Sequence, residues 1–260
     1  LRDIFKDNVL KLKRTRPINR EEIKERLYRQ RFLVPNAVTL GSMFCGFLTT
    51  IYASTGRFEK ACIAIALALL LDGLDGRVAR KLNATSRFGV EFDSLSDLIS
   101  FGVAPATLMY YWCFQRVADE FGVFVTFIYV ICAASRLARF NITDSNLKAF
   151  TGLPTPGAAA LVAALVNFSP VFHDSMSLVC FGAFVALSLA YLMVSNIEFF
   201  SVKLITVKGM NPKIRIAVGG LIALTWYNSG FAFLVLSAAY VLSGPYKIWK
   251  LRKAGSVDIA

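Results

Sequence analysis

The sequence predicts an all-α integral membrane protein, a bundle of about eight transmembrane helices preceded by an N-terminal amphipathic juxtamembrane helix. Three observations predict it. Of the 260 residues, 56% are hydrophobic, above the roughly 45–50% usual for soluble domains, and the mean hydropathy is +0.55. The surplus is gathered into apolar runs, most of them near the roughly 20 residues that cross a bilayer as a helix. The basic residues behind the net charge of +12 flank those runs. In a soluble protein such a charge would point first to nucleic acid. Flanking apolar runs, it points to anionic lipid headgroups, and no nucleic-acid partner is expected.

Residues 1–31 form a basic arm in which Glu21 to Arg31 is expected as a helix lying on the membrane surface. A disordered basic arm is the plainer alternative. The first residues are charged rather than apolar, so no cleavable signal sequence is expected. The transmembrane domain covers 32–247, with apolar segments at 33–53, 58–80, 88–112, 120–140, 155–171, 176–195, 213–227 and 229–247, and 248–260 is a basic tail. The last two segments are joined closely through Tyr227, Asn228, Ser229 and Gly230, so a count of seven is the alternative.

Charge placement tests the count. With the N-terminus inside, every one of the 29 lysines and arginines except Arg57, Lys60 and Arg116 falls on the same side as both termini. The positive-inside rule then puts both termini in the cytoplasm, with an even number of crossings of the inner membrane. The five cysteines, Cys45, Cys62, Cys113, Cys132 and Cys180, are scattered in apolar segments without paired spacing and read as packing residues.

Four carboxylates break the apolar pattern. An aspartate at the centre of a membrane helix costs roughly 2.5–3.5 kcal/mol, yet Asp72 and Asp75 end the second segment, and Asp93 and Asp97 open the third. Helical spacing puts Asp72, Asp75, Gly76 and Ala79 on one face, and Gly89, Asp93 and Asp97 on one face of the next helix. A short connection makes the two helices antiparallel neighbours, so the carboxylates converge near the cytoplasmic surface. An all-oxygen cluster suits Mg²⁺, Mn²⁺ or Ca²⁺. Two divalent ions would balance four carboxylates, an arrangement used in phosphoryl transfer. The competing structural reading pairs the carboxylates with Arg77, Arg80, Lys81 and Arg87. Gly76, Ala79 and Gly89 leave space beside the cluster, either for close helix packing or for a flat ligand ring.

The stretch from Asp72 to Asp97 has the form D-x-x-D-G-x-x-A-R, eight residues, G-x-x-x-D-x-x-x-D. Every defined position resembles the signature of the CDP-alcohol phosphatidyltransferases. The resemblance implies that a CDP-linked lipid binds with its diphosphate at the metals, that an alcohol attacks the phosphorus nearer the lipid, and that CMP leaves. It implies Asp72, Asp75, Asp93 and Asp97 as metal ligands and Asp97 also as the general base. Nucleotide and diphosphate contacts are implied for Asn36, Thr39, Asp72, Gly76, Ala79, Arg80, Ser86 and Gly89. Asn36 and Thr39 belong to a P-N-x-x-T element (Pro35 to Thr39), for which capping of a helix start is the plainer reading. The only histidine, His173, falls in a predicted outer loop, which favours direct displacement over a phospho-histidine route. The resemblance also implies a homodimer.

Ser94 to Ala106, Ser135 to Asn141 and Thr151 to Ala159 resemble the membrane-type phosphatidylserine synthases. This implies CDP-diacylglycerol and L-serine as substrates. Arg136 and Arg139 end the fourth segment at the predicted depth of the metals, and a guanidinium fork matches the serine carboxylate. Both are also explicable as membrane anchors on the positive side, or as holders of the phosphate of a phosphorylated acceptor. Glycerol 3-phosphate, an inositol compound or choline is the alternative acceptor, and a cation transporter is the remote alternative from another class.

Overall fold

The computed structural model describes residues 20–82, 86–142, 152–171, 175–197, 199 and 229–253. All regular elements among them are helical: α1 (Arg20–Ser54), α2 (Phe58–Lys81), α3 (Arg87–Asp97), α4 (Ala104–Met109), α5 (Asp119–Ile142), α6 (Thr155–Phe168), α7 (Met176–Val194) and α8 (Ser229–Lys253). Two π-helical stretches, Leu98–Val103 and Tyr110–Phe114, flank α4 and join it to α3 as one continuous rod.

Three spans, Val34–Ser54, Asp119–Ile142 and Met176–Val194, are long and apolar enough to cross a membrane on length and composition alone. The structure therefore supports a multi-span helical bundle, while the count of eight is not reached among the described residues. α6 has 14 residues, about 21 Å of helix, against a hydrocarbon core of about 30 Å. α2 carries Asp72, Asp75, Arg77, Arg80 and Lys81 in its C-terminal half. The predicted segment 213–227 and His173 lie outside the described residues.

α1 continues without interruption through the predicted interfacial helix and the first span, with Pro35 inside it. Its 35 residues make about 52 Å, more than one bilayer crossing. Asn36 and Thr39 therefore sit well inside a helix, and the reading of them as caps of a helix start does not hold.

Hydroxyl groups stitch α1 to its neighbours. Ser42 donates to the Ala68 carbonyl (3.2 Å) and Thr49 to that of Ala61 (3.4 Å), both on α2. Ser96 donates to the Thr39 carbonyl (3.1 Å) and Ser100 to that of Ser42 (3.0 Å). Such bonds hold helices together where apolar solvent gives no hydrophobic drive between them. The fully buried Ala61 and Ala68 of α2 and Ala158, Ala159 and Ala163 of α6 allow close approach. All five cysteines are free thiols; Cys62 and Cys113 are buried as packing residues, Cys45 and Cys132 are partly buried, and Cys180 is exposed, contrary to the packing expectation for it.

The first π-helical stretch has a local cause. Pro105 has no N–H to give the Phe101 carbonyl four residues earlier. The buried Tyr129 hydroxyl of α5 donates to that carbonyl instead (3.3 Å). The bond ties the segment just beyond Asp97 to α5, which carries Arg136.

Gly152 sets the entry to α6. Its φ is +87°, and a Cβ there would fall 2.4 Å from the Met193 carbonyl oxygen, so only glycine fits. Gly152 N–H donates to Ile197 O and Leu153 N–H to Leu192 O (2.8 and 2.9 Å). The start of α6 is thereby fixed against the end of α7.

Candidate active site

Three of the four signature aspartates meet. Asp72 and Asp75 of α2 and Asp93 of α3 each offer a carboxylate oxygen, and these atoms lie within 4.8 Å of one another. The convergence follows from sequence: spacings of three and four keep each pair on one helical face, and α1 packs against both helices and holds them side by side. Asp75 is buried, at 6% exposure, and is fixed from two sides. Thr39 of α1 donates to it (3.1 Å), and so does the Gly76 N–H.

Asp97 stands beside the triad, hydrogen-bonded to Asp72. Two carboxyl groups this close need a proton or a cation between their oxygens. No lysine or arginine supplies that charge to the triad: among the described residues, Arg77, Arg80, Lys81 and Arg87 form no ion pair with these aspartates. The paired-arginine reading therefore fails. An all-oxygen donor set, partly buried and short of positive charge, fits a hard divalent cation.

The surroundings of the triad are uneven. A Cβ built on Gly76 would meet no atom within 4 Å, so the α2 face beside Asp75 is open. Arg80 is exposed and Ala79 half-buried on the same turn of helix. Ser86 caps α3, its hydroxyl accepting from the Gly89 N–H (3.0 Å). A Cβ on Gly89 would approach the Asn36 side-chain oxygen to 3.5 Å and the Ser86 hydroxyl to 3.1 Å. Asn36, Ser86 and Gly89 thus form one cluster at the start of α3. Thr39 is buried and turned to Asp75, so it positions a carboxylate.

The two predicted acceptor arginines have different surroundings. Arg139 is exposed and binds the end of α7, donating to Asn196 Oδ1 (2.7 Å) and to Val194 O (3.4 Å). Arg136 lies one turn earlier on α5, and its Nε is buried without a hydrogen-bond partner. A buried donor left unmatched costs about 1–3 kcal/mol, which points to a ligand group for it. Asp97 lies near enough for its negative charge to act on Arg136. Thr155 Oγ1, at the start of α6, is the other buried side-chain polar atom without a partner among the described residues. Sequence reasoning quoted Thr155 in a motif without giving it a role.

The two arginines can be separated by experiment. Arg139→Ala is expected to lower the unfolding free energy in detergent by about 1 kcal/mol and to leave the acceptor KM within about twofold. Arg136→Ala is expected to raise that KM at least about tenfold, as loss of a charge-assisted contact does. Thermal melts and acceptor titrations check both.

A groove lined by Glu91, Ser94, Leu95, Leu98, Leu137 and Asn141, among others, separates α3 from α5. Its α3 residues fall on the helical face opposite Asp93 and Asp97, so it is distinct from the carboxylate site. Ser94 and Glu91 hydrogen-bond Asn141 across it (3.1 and 3.3 Å).

Residues 32–194 match the CDP-alcohol phosphatidyltransferase family. The CDP-diacylglycerol–serine O-phosphatidyltransferase of Helicobacter pylori is 40% identical over 220 residues, covering 82% of this chain and 90% of the relative. The Bacillus subtilis protein of the same name is 36% identical over 167 residues, 64% of this chain and 89% of the relative. The archaetidylserine synthase of Methanothermobacter thermautotrophicus is 37% identical over 171 residues, 64% of this chain and 69% of the relative.

Proposed function

Because the chain belongs to the CDP-alcohol phosphatidyltransferase family, we propose that it transfers the phosphatidyl group of CDP-diacylglycerol to the hydroxyl of L-serine, giving phosphatidylserine and CMP. One observation carries the serine acceptor beyond the names of the relatives: the unpartnered Nε of Arg136, with Asp97 as its acidic neighbour. An amino acid is the acceptor that needs a guanidinium for its carboxylate and a base for its hydroxyl in one place.

In the reaction, the serine hydroxyl oxygen bonds to the phosphorus that carries diacylglycerol. The bond from that phosphorus to the oxygen bridging to CMP breaks, and CMP leaves with the electron pair. Asp97 accepts the hydroxyl proton, a role typically worth 10²–10⁴-fold. Arg136 holds the serine carboxylate so that the hydroxyl meets Asp97. Arg80 contacts the diphosphate, and the open face at Gly76 and Ala79 admits the cytidine. Asn36, Ser86 and Gly89 border the nucleotide, and Thr39 holds Asp75 in place. Asp72, Asp75 and Asp93 would hold the divalent metal. Bound there, two ions, Mg²⁺ or Mn²⁺ with Ca²⁺ as a further candidate, would supply positive charge against the diphosphate oxygens.

The same reading places both termini and the site on the cytoplasmic side of the inner membrane, as the basic residues direct. Eight crossings, counting 213–227, satisfy it, in a homodimer.

Purified protein given CDP-diacylglycerol and Mn²⁺ tests the reading. CMP should be released with L-serine and not with glycerol 3-phosphate, inositol phosphate or choline. Release with one of the others and none with serine overturns the assignment of acceptor.

A further inference from the structure

α1 ties the two acidic helices together through a ladder of hydroxyl groups. Each rung is one α1 residue whose side chain donates to α2 and whose carbonyl accepts from the rod that begins with α3. In the rung farther from the triad, Ser42 donates to the Ala68 carbonyl (3.2 Å) and accepts from the Ser100 hydroxyl (3.0 Å). In the nearer rung, Thr39 donates to the Asp75 carboxylate (3.1 Å) and accepts from the Ser96 hydroxyl (3.1 Å). All four residues are at most 5% exposed, so water does not compete for these bonds.

The rungs differ in what they end on and in what supports them. The Ser42 rung ends on a backbone carbonyl of α2, and the Thr39 rung on a carboxylate of the triad. Beside the Ser42 rung the two backbones nearly touch: a Cβ on Gly46 would fall 2.7 Å from Ser100 Cα. Close packing thus supports the Ser100 bond. Ser96 makes the one hydrogen bond between α3 itself and α1 among the described residues.

The carboxylates are held unequally as well. Asp75 accepts from Thr39 at one oxygen and from the Gly76 N–H at the other. Asp93 makes no hydrogen bond among the described residues. Its place within 4.8 Å of its partners in the triad is therefore set by where the α3 backbone lies. Ser96 follows Asp93 by three residues on the same helical face, and there that backbone is bonded to α1.

We propose that Ser96 is a positioning residue of the metal site. Its hydroxyl is bonded to the same threonine that holds Asp75, and so fixes α3 in the register that brings Asp93 to the α2 carboxylates. The inference rests on the reading of the triad as a metal site and adds the element that assembles it.

Ser96→Ala is the test and Ser100→Ala the comparison, since each removes one buried hydroxyl bonded to an α1 carbonyl. Mn²⁺ is the probe, titrated into the full chain in detergent without lipid substrate and followed by its paramagnetic resonance signal. Ser96→Ala should weaken Mn²⁺ binding about tenfold, the scale on which loss of a group orienting a metal ligand acts. Ser100→Ala should leave the affinity within about twofold, because its rung reaches no metal ligand. Both variants should lower the melting temperature by similar amounts, each having lost one bond of the same kind. An unfolded fraction lowers the number of sites and not their affinity, so the split in affinity reports positioning. If Ser96→Ala does not fold, Ser96→Cys keeps nearly the same shape with a weaker donor and should weaken binding at least about threefold. Affinity equal to wild type in the folded Ser96 variant overturns the inference. An equal loss in the Ser96 and Ser100 variants makes both bonds general packing and overturns it too. Either result leaves the metal site standing. Wild type that binds no Mn²⁺ overturns the metal reading and this inference with it.

Discussion

Asp97→Asn is expected to lower kcat by about 10²–10⁴-fold, equal to about 3–5 kcal/mol of barrier, while CDP-diacylglycerol and Mn²⁺ still bind. The reason is geometric. Asp97 stands outside the triad of Asp72, Asp75 and Asp93 and contacts only its edge, through Asp72. Asparagine has the shape of the aspartate and an amide N–H to give Asp72, but it accepts no proton at neutral pH. Single-turnover CMP release and equilibrium binding of CDP-diacylglycerol separate the two effects. Normal turnover in the variant removes Asp97 from the base role. Loss of Mn²⁺ binding would instead place it among the metal ligands.

Asp93→Asn should act differently, on binding and rate together. Asp93 is the only carboxylate that α3 gives to the triad, so its loss leaves the cation with ligands from α2 alone. Mn²⁺ affinity should fall about 10–100-fold, the scale of a weakened ligand set. kcat/KM should fall about 10³-fold at fixed Mn²⁺, because a bound metal contributes several kcal/mol of charge stabilisation at 1.36 kcal/mol per tenfold. Calorimetric titration with Mn²⁺ measures the first, and CMP release over a Mn²⁺ series the second. Mn²⁺ affinity equal to wild type would show that the triad does not hold the metal. Chelation with EDTA should silence the wild type, and added Mn²⁺ or Mg²⁺ should restore it.

The carboxylate cluster was legible in sequence for a physical reason. Charged groups are so unfavourable in apolar helices that four at spacings of three and four must serve one another. Helical geometry then leaves only the mutual placement of two neighbouring helices to be settled. The open face at Gly76 was legible for the same reason. Thr39 was less so: the motif marks it for the nucleotide pocket, and the structure adds a hydrogen bond from its hydroxyl to Asp75. Its bond depends on how α1 lies across α2, and spacing within one helix carries no record of that. The reading of Asn36 and Thr39 as caps of a helix start failed because α1 begins at Arg20 and carries both inside it. Pro35 lies within that helix, where its missing N–H removes only one backbone bond.

What the sequence determined by itself is the membrane class, the acidic centre and the family, because each rests on local periodicity and spacing, which a helix converts directly into position. What only the tertiary structure decided is the difference in surroundings between Arg136 and Arg139. The two arginines are one turn apart and chemically identical. Arg139 hydrogen-bonds the end of α7, while the Arg136 Nε is buried without a partner among the described residues, a difference set by the packing of α5 against its neighbours. Contacts between residues far apart in the chain are fixed by interhelical packing, where the bond from Tyr129 to the carbonyl that Pro105 leaves open helps decide which side chains meet.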